Sequence, residues 1–303
     1  MYQKMNDREL CVGAHVSISG SFARSVSIAQ SYGCGCMQIF TKNPRAWGAK
    51  PIDPAFAAAF HKACKGASLP AFAHGSYLIN PASSDPVQIE KSIASIATEL
   101  LRCEVLHIPY LVLHCGHGQD DRQRSASVRV FSCLTEAYTR VLSHPDHDDN
   151  HSVMILLENS AGETNSVGNM FEDIAEIIGN VSDAGFSRHI GACFDTCHAY
   201  AAGYALNTED DVGCTCDALF SIISPQYLRL IHLNDAQYAC GSGRDRHLPP
   251  GKGQIGVFGF AALLHHPLIQ DLPLVCEVPI SDQKSGQEVI RSVKDIGKNV
   301  LPR

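Results

Sequence analysis

Along this chain, short runs of apolar and β-branched residues alternate with longer stretches whose apolar positions recur at helical spacing. The short runs are CVGAHVS (11–17), CMQIF (36–40), LPAFAHG (69–75), YLVLHCG (110–116), VMILLEN (153–159), IGACFDT (190–196), LRLIHLND (228–235) and LVCEVP (274–279). Runs so short and so continuously apolar read as strands buried on both faces. Between them the spacing predicts helices over Ser19–Tyr32, Asp53–Ala67, Asp85–His107, Arg124–Leu142, Val167–Ile178, Glu209–Ile223, Val257–His265 and Asp282–Asn299. Strand followed by helix, repeated, implies parallel strands with right-handed crossovers. Eight such units in 303 residues predict an α/β fold closed into one (β/α)8 TIM barrel, a single domain over 1–303. The longest irregular stretch is Ala236–Gly256, and loops of that length are usually functional or mobile.

The polar residues that break this pattern stand at the strand ends. The third strand ends in His74, the fourth in His114 and the fifth in Glu158. The sixth ends in Asp195, with His198 three residues on; the seventh ends in His232 and Asp235; the eighth ends in Glu277. The loop after the seventh adds Asp245 and His247. In a closed parallel barrel all strand C-termini meet on one face, so these side chains converge on one mouth. Any one of them alone reads as hydrogen-bonded structure. Together, five imidazoles and four carboxylates (Asp235 set aside) would be mutually repulsive without cations, and mixed N/O donors suit Zn, Mn or Fe(II). Nine donors exceed the needs of one ion and fit two or three.

Composition narrows the class. Apolar residues make up 45% and charged residues 18%, enough for a large core. No run of about 18 apolar residues appears, so no membrane span is expected. MYQKMNDREL at the start lacks an apolar signal region, so an intracellular, cytoplasmic chain is expected. Thirteen cysteines without a CxxC pair read as reduced thiols. No GxSxG elbow and no GxxxxGK[ST] phosphate loop is present. GKGQIG (251–256) reads either as a phosphate site at a helix N-terminus or as a flexible turn.

GAHVS (13–17), MQIFTKNPRAW (37–47), HGSYLIN (74–80), LENSAG (157–162), FDTCHAYAAGY (194–204), HLNDA (232–236) and DRH (245–247) together resemble the endonuclease IV family of apurinic/apyrimidinic endonucleases. The resemblance runs from about residue 11 to 280. It implies three zinc ions, with Mn2+ or Fe2+ as substitutes in some hosts. His74 and His114 would hold the first ion, with Glu158 bridging to the second. Asp195, His232 and Glu277 would complete the second, and His198, Asp245 and His247 would hold the third. The implied reaction is hydrolysis of duplex DNA 5′ to an abasic sugar, with Glu277 and Glu158 as catalytic carboxylates, and with repair of blocked 3′ ends alongside. Lys42, Asn43, Arg45, Tyr77 and Arg246 are then the expected DNA contacts. Asp235 and His15 are the expected supports behind the ligands, Asp235 by orienting an imidazole. The partner is abasic duplex DNA and the chain is expected to be a monomer.

Two stretches depart from the family pattern. HCGHG (114–118) puts Cys115 where proline is common, which opens that thiol to oxidation or adventitious metal, and Ala46 replaces a polar residue. The net charge of −7 argues against a nucleic-acid partner until three divalent cations are set against the four ligand carboxylates. Lys42, Arg45, Lys50, Arg122, Arg124, Arg244, Arg246 and Lys252 predict a positive crescent around the mouth and DNA binding that weakens steeply with salt. The rival readings are a metal-dependent sugar isomerase or epimerase on a similar barrel, and a damage-binding protein with a degenerate site.

Overall fold

In the computed structural model, which describes residues 10–118 and 123–298, eight parallel strands close into a barrel. Arg122, Asn299 and the first nine residues fall outside the described residues, as does the side chain of Arg124. The barrel strands are β1 (Val12–His15), β2 (Cys36–Phe40), β3 (Ala71–His74), β4 (Tyr110–His114), β5 (Met154–Glu158), β6 (Ile190–Asp195), β7 (Leu228–His232) and β10 (Leu274–Cys276). Each pairs with its sequence neighbour, and β10 closes the ring between β7 and β1. The loop expected to be irregular holds a small antiparallel pair, β8 (Asp235–Ala236) and β9 (His247–Leu248).

The outer ring consists of α1 (Phe22–Tyr32), α2 (Pro54–Ala67), α3 (Pro86–Leu106), α4 (Gln123–Leu142), α5 (Phe171–Val181), α7 (Glu209–Ile222), α8 (Gly256–His265) and α9 (Gln283–Lys298), with a short α6 (Thr196–Ala202) inserted after β6. The ends follow local chemistry. Asp53 and Asp85 cap α2 and α3 with a proline at the first helical position. Thr208 and Asp211 form a reciprocal capping box on α7. Helix α1 starts at Phe22, later than its periodicity predicts, because Ser21 is extended and takes the Arg24 N–H as the cap. Helix α5 is shifted toward Val181, since Gly168 sits at φ 89° before it.

Side chains alternate between two cores. Cys36, Phe72, Val112, Leu156, Cys193, Leu230 and Val275 fill the barrel interior. The opposite faces of the strands pack against the helices in one continuous apolar layer. Strands β1 and β2 approach so closely that a Cβ at Gly13 would meet the Cys36 carbonyl oxygen at 2.0 Å. Among the described residues no helix is long and apolar enough to cross a membrane.

Candidate metal centre at the barrel mouth

Strand ends bring the predicted donors together. Glu158, at the end of β5, is fully buried and central. Its Oε2 lies 3.2 Å from His74 Nε2 and 3.6 Å from His114 Nε2. Its Oε1 lies 2.8 Å from His232 Nδ1 and 3.3 Å from His198 Nδ1. Three groups follow whose donor atoms lie within 4.8 Å of one another: His74, His114 and Glu158; Glu158, Asp195, His232 and Glu277; and His198, Asp245 and His247. A fourth grouping joins Asp195, Cys197 and His247. There the Cys197 thiol donates to the Arg246 carbonyl, and burial pushes it up to about 12, so it stays protonated.

The imidazoles are aimed by what lies behind them. His74 Nδ1 faces the Gly75 carbonyl at 2.9 Å, His198 Nδ1 that of Asn159 at 2.9 Å, and His247 Nδ1 that of Glu277 at 3.2 Å. A carbonyl only accepts, so each Nδ1 carries a proton and each Nε2 faces the centre. His232 is reversed. Its Nε2 donates to Gln38 Oε1 at 2.9 Å, which turns Nδ1 inward. The same Gln38 amide donates to Glu277 Oε1 at 2.6 Å and lies 3.1 Å from His15 Nδ1, so His15 and Gln38 together back Glu277. Asn234 donates to Asp195 Oδ2 at 2.7 Å and accepts the Glu277 N–H at 2.8 Å. Gln38, Asn159 and Asn234 carry no charge and escaped the sequence reading, although each lies inside a motif quoted there.

Burial of Glu158 and Glu277 by itself would push both carboxyls up. The charge of His232 and the adjoining imidazoles outweighs this, and both lie well below the ordinary range. Burial opposes charge on His198 also, but Asp195 and Asp245 lift it well above the usual imidazole value. The pairing of His198 and His232 with buried carboxylates favours their protonated forms, so cations entering the centre would compete with protons. His247 illustrates the sign. Burial lowers it, Asp195 and Asp245 outweigh burial, and it rises from 6.5 to about 9. A raised folded value adds stability that is complete below pH 6.5 and lost as pH climbs through about 9. Chelated protein should accordingly melt at a lower temperature at about pH 9 than at about pH 6.5, with zinc restoring the loss. Equal melting temperatures would show that the pairing is not there.

The donor set fits divalent cations: mixed imidazole and carboxylate, lone pairs converging, anions buried around Glu158. Beside it opens a cavity of about 200 Å³ lined by His74, Tyr77, His114, His117, Glu163 and Asp245 among others.

The model of the xylose isomerase-like TIM barrel family matches residues 26–296. "Probable endonuclease 4" of Methanoculleus marisnigri is 42% identical over 286 residues, 94% of this chain and 98% of that protein. The protein of the same name from Nitrosopumilus maritimus is 37% identical over 287 residues, 94% of this chain and 99% of the other. This chain belongs to the endonuclease IV family. The crystal structure of endonuclease IV from Thermus thermophilus superposes with a TM-score of 0.80 at 31% identity, covering 94% of this chain and 98% of that one. A 3-keto-D-glucoside 4-epimerase from E. coli, at 12% identity and a TM-score of 0.65 over 95% of this chain and 100% of that one, shares the fold alone.

Within this endonuclease IV chain the loop residues divide. Arg45 and Arg246 are exposed at the rim, as are Lys50, Arg244 and Lys252. Tyr77 is 62% exposed and rests edge-on against Phe40. Asn43 is exposed, and its Oδ1 accepts the Arg45 N–H at 3.0 Å, which shapes the turn. Lys42 corrects the sequence reading. It is buried, 3.5 Å from buried Glu99, and donates to the Ala46 carbonyl at 2.7 Å. Its charge belongs to the fold rather than to a DNA-facing surface. Removing one partner of a buried pair is costly, so Lys42→Met should lower stability by about 3 kcal/mol. Denaturant melts that show less than ~1 kcal/mol would refute the buried pairing.

Three further expectations change. Asp235 orients no imidazole: its carboxylate accepts the N–H groups of Gly253, Ile255 and Gly256. The Lys252 and Gln254 N–H groups go to the Pro249 and Ala236 carbonyls. These five-residue commitments leave GKGQIG shaped around Asp235 rather than around a phosphate. Cys115 is fully buried with its Sγ toward the Glu158 carbonyl, and burial pushes the thiol up, so neither oxidation nor metal capture reaches it.

Proposed function

We propose that this chain is a DNA-repair endonuclease that hydrolyses the phosphodiester 5′ to an abasic site in duplex DNA with three zinc ions, leaving a 3′-hydroxyl and a 5′-deoxyribose phosphate. The observation that carries this reading is the grouping of nine donors into three sets, the first two sharing Glu158, beside a cavity of about 200 Å³. When bound, the ions would supply Lewis acidity toward a phosphate and a nucleophile at neutral pH. His74, His114 and Glu158 would hold the first ion. Glu158, Asp195, His232 and Glu277 would hold the second, and His198, Asp245 and His247 the third. Mn2+ or Fe2+ would suit the same donors.

The side chains have separate tasks. Glu277, held by the Gln38 amide, would orient the attacking water and accept its proton. Arg45 and Tyr77, on neighbouring loops at the rim, would enter the duplex at the lesion and turn the abasic sugar toward the cavity. Turning it out costs least where the base is already missing. Lys50, Arg244, Arg246 and Lys252 would meet the phosphates. Removal of 3′-blocking groups would use the same centre, and the chain would act as a monomer inside the cell.

Nuclease rather than sugar epimerase is favoured by the third donor set and by relatives named endonuclease 4 at about two-fifths identity over most of both chains. The test is cleavage of a labelled duplex bearing one tetrahydrofuran abasic analogue, which resists β-elimination. Incision 5′ to the analogue should be lost after chelation and restored by zinc. No incision by fully metallated protein would end the nuclease reading.

A further inference from the structure

Away from the mouth, at the N-terminal ends of β4 and β5, lies a second concentration of ligating side chains. His61 of α2, His107 at the C-cap of α3 and His151 of the loop between α4 and β5 meet there. His61 Nδ1 and His107 Nδ1 stand 3.1 Å apart. The His107 and His151 rings stack with centroids 3.9 Å apart and 16° between planes. The loop that brings His151, HPDHDDNH (144–151), is itself dense in ligating residues and is fixed in place. Buried Glu104 of α3 takes His147 Nδ1 at 2.9 Å and the Asp148 N–H at 3.3 Å. Asp148 Oδ2 then takes His151 Nδ1 at 2.6 Å.

Ordinary packing does not call for one imidazole flanked by two others, as His107 is by His61 and His151. Protonating one sets a charge against the others, and His107 is pushed below its usual value by burial and by His151 and His61. The neutral form of His107, which offers a lone pair, is favoured accordingly. Two nitrogens on one tetrahedral zinc, each about 2.0–2.1 Å from the metal, lie roughly 3.3 Å apart, close to the His61–His107 spacing. The carboxylate on His151 Nδ1 leaves Nε2 as its free donor, the arrangement seen behind metal-binding histidines. Imidazole donors select zinc, copper or nickel over magnesium or calcium.

We propose that His61, His107 and His151 form a second, separate site for a borderline divalent cation of the zinc, copper or nickel class, distinct from the mouth. Binding turns the His151 ring out of its stack so that Nε2 joins the two facing Nδ1 atoms. His61 and His107 are exposed and His151 is half-buried, so the rearrangement is confined to surface side chains. The bound ion would tie α2, α3 and the 144–151 loop together on the side of the barrel away from the reaction.

The proposal does not depend on the nuclease reading. The experiment uses the untagged full chain, loaded with zinc at the mouth and assayed for metal content. Nickel is then added in a calorimetric titration. The wild type should take one further equivalent. His61→Gln with His107→Asn and His151→Gln should lose it, and His151→Gln alone should weaken it by about tenfold. Incision of the tetrahydrofuran duplex should be unchanged in both variants, which also shows that they fold. No further equivalent in the wild type, or undiminished uptake by the triple variant, would overturn the proposal.

Discussion

Glu277→Gln should cut single-turnover incision of a tetrahydrofuran duplex by roughly 10³-fold or more, the range expected when a positioned base and part of its electrostatic support are lost together. Glu277 Oε2 lies 3.0 Å from His232 Nδ1, and Oε1 is held by the Gln38 amide. An amide keeps the shape but loses the charge, and in one of its two orientations presents N–H groups to donors that already point inward. The backbone position is independently fixed by Asn234, so the variant should fold. Incision and metal content should be measured on the same sample. A fall of less than about tenfold with full metal content would remove Glu277 from the reaction.

Glu158→Gln should have the wider effect. Both carboxylate oxygens of Glu158 are engaged, one toward His74 and His114, the other toward His232 and His198. Replacing one of them by an N–H2 group sets a donor against ring nitrogens that must face a cation, and two donor sets lose their shared anion. The expected result is loss of bound metal by elemental analysis, with incision down by about 10⁴-fold or more. Retention of the wild-type metal complement would show that Glu158 does not bridge.

The alternation of apolar runs is sufficient to place all eight barrel strands, because a buried parallel strand tolerates little else. Helix ends are legible where caps are local, as at Asp53 and Asp85, and shift where a glycine or an extended serine intervenes, as before α5 and α1. The charged donors are legible for a related reason: ionisable groups at the ends of apolar strands stand out. Their neutral supports are not, since Gln38, Asn159 and Asn234 act through geometry that only the closed ring creates. Lys42 misleads because its partner Glu99 lies 57 residues along the chain, on the buried side of α3. Asp235 misleads because its partners are backbone amides, which no residue pattern displays.

That Asp235 clasp has a consequence for the third donor set. Fastening Gly253 to Asp235 closes an 18-residue loop. Asp245 and His247 lie inside this loop. Closing a flexible loop of that length costs roughly 2–3 kcal/mol of chain entropy. The fold has met that cost before any cation arrives, so the ion finds its ligands already gathered. Gly253 is part of the same device, since a Cβ there would meet the Ala236 carbonyl oxygen at 2.4 Å. Some of the centre's affinity is therefore stored in an aspartate and a glycine that belong to none of the donor sets, and drift at either would appear as a leaky metal site with every ligand intact.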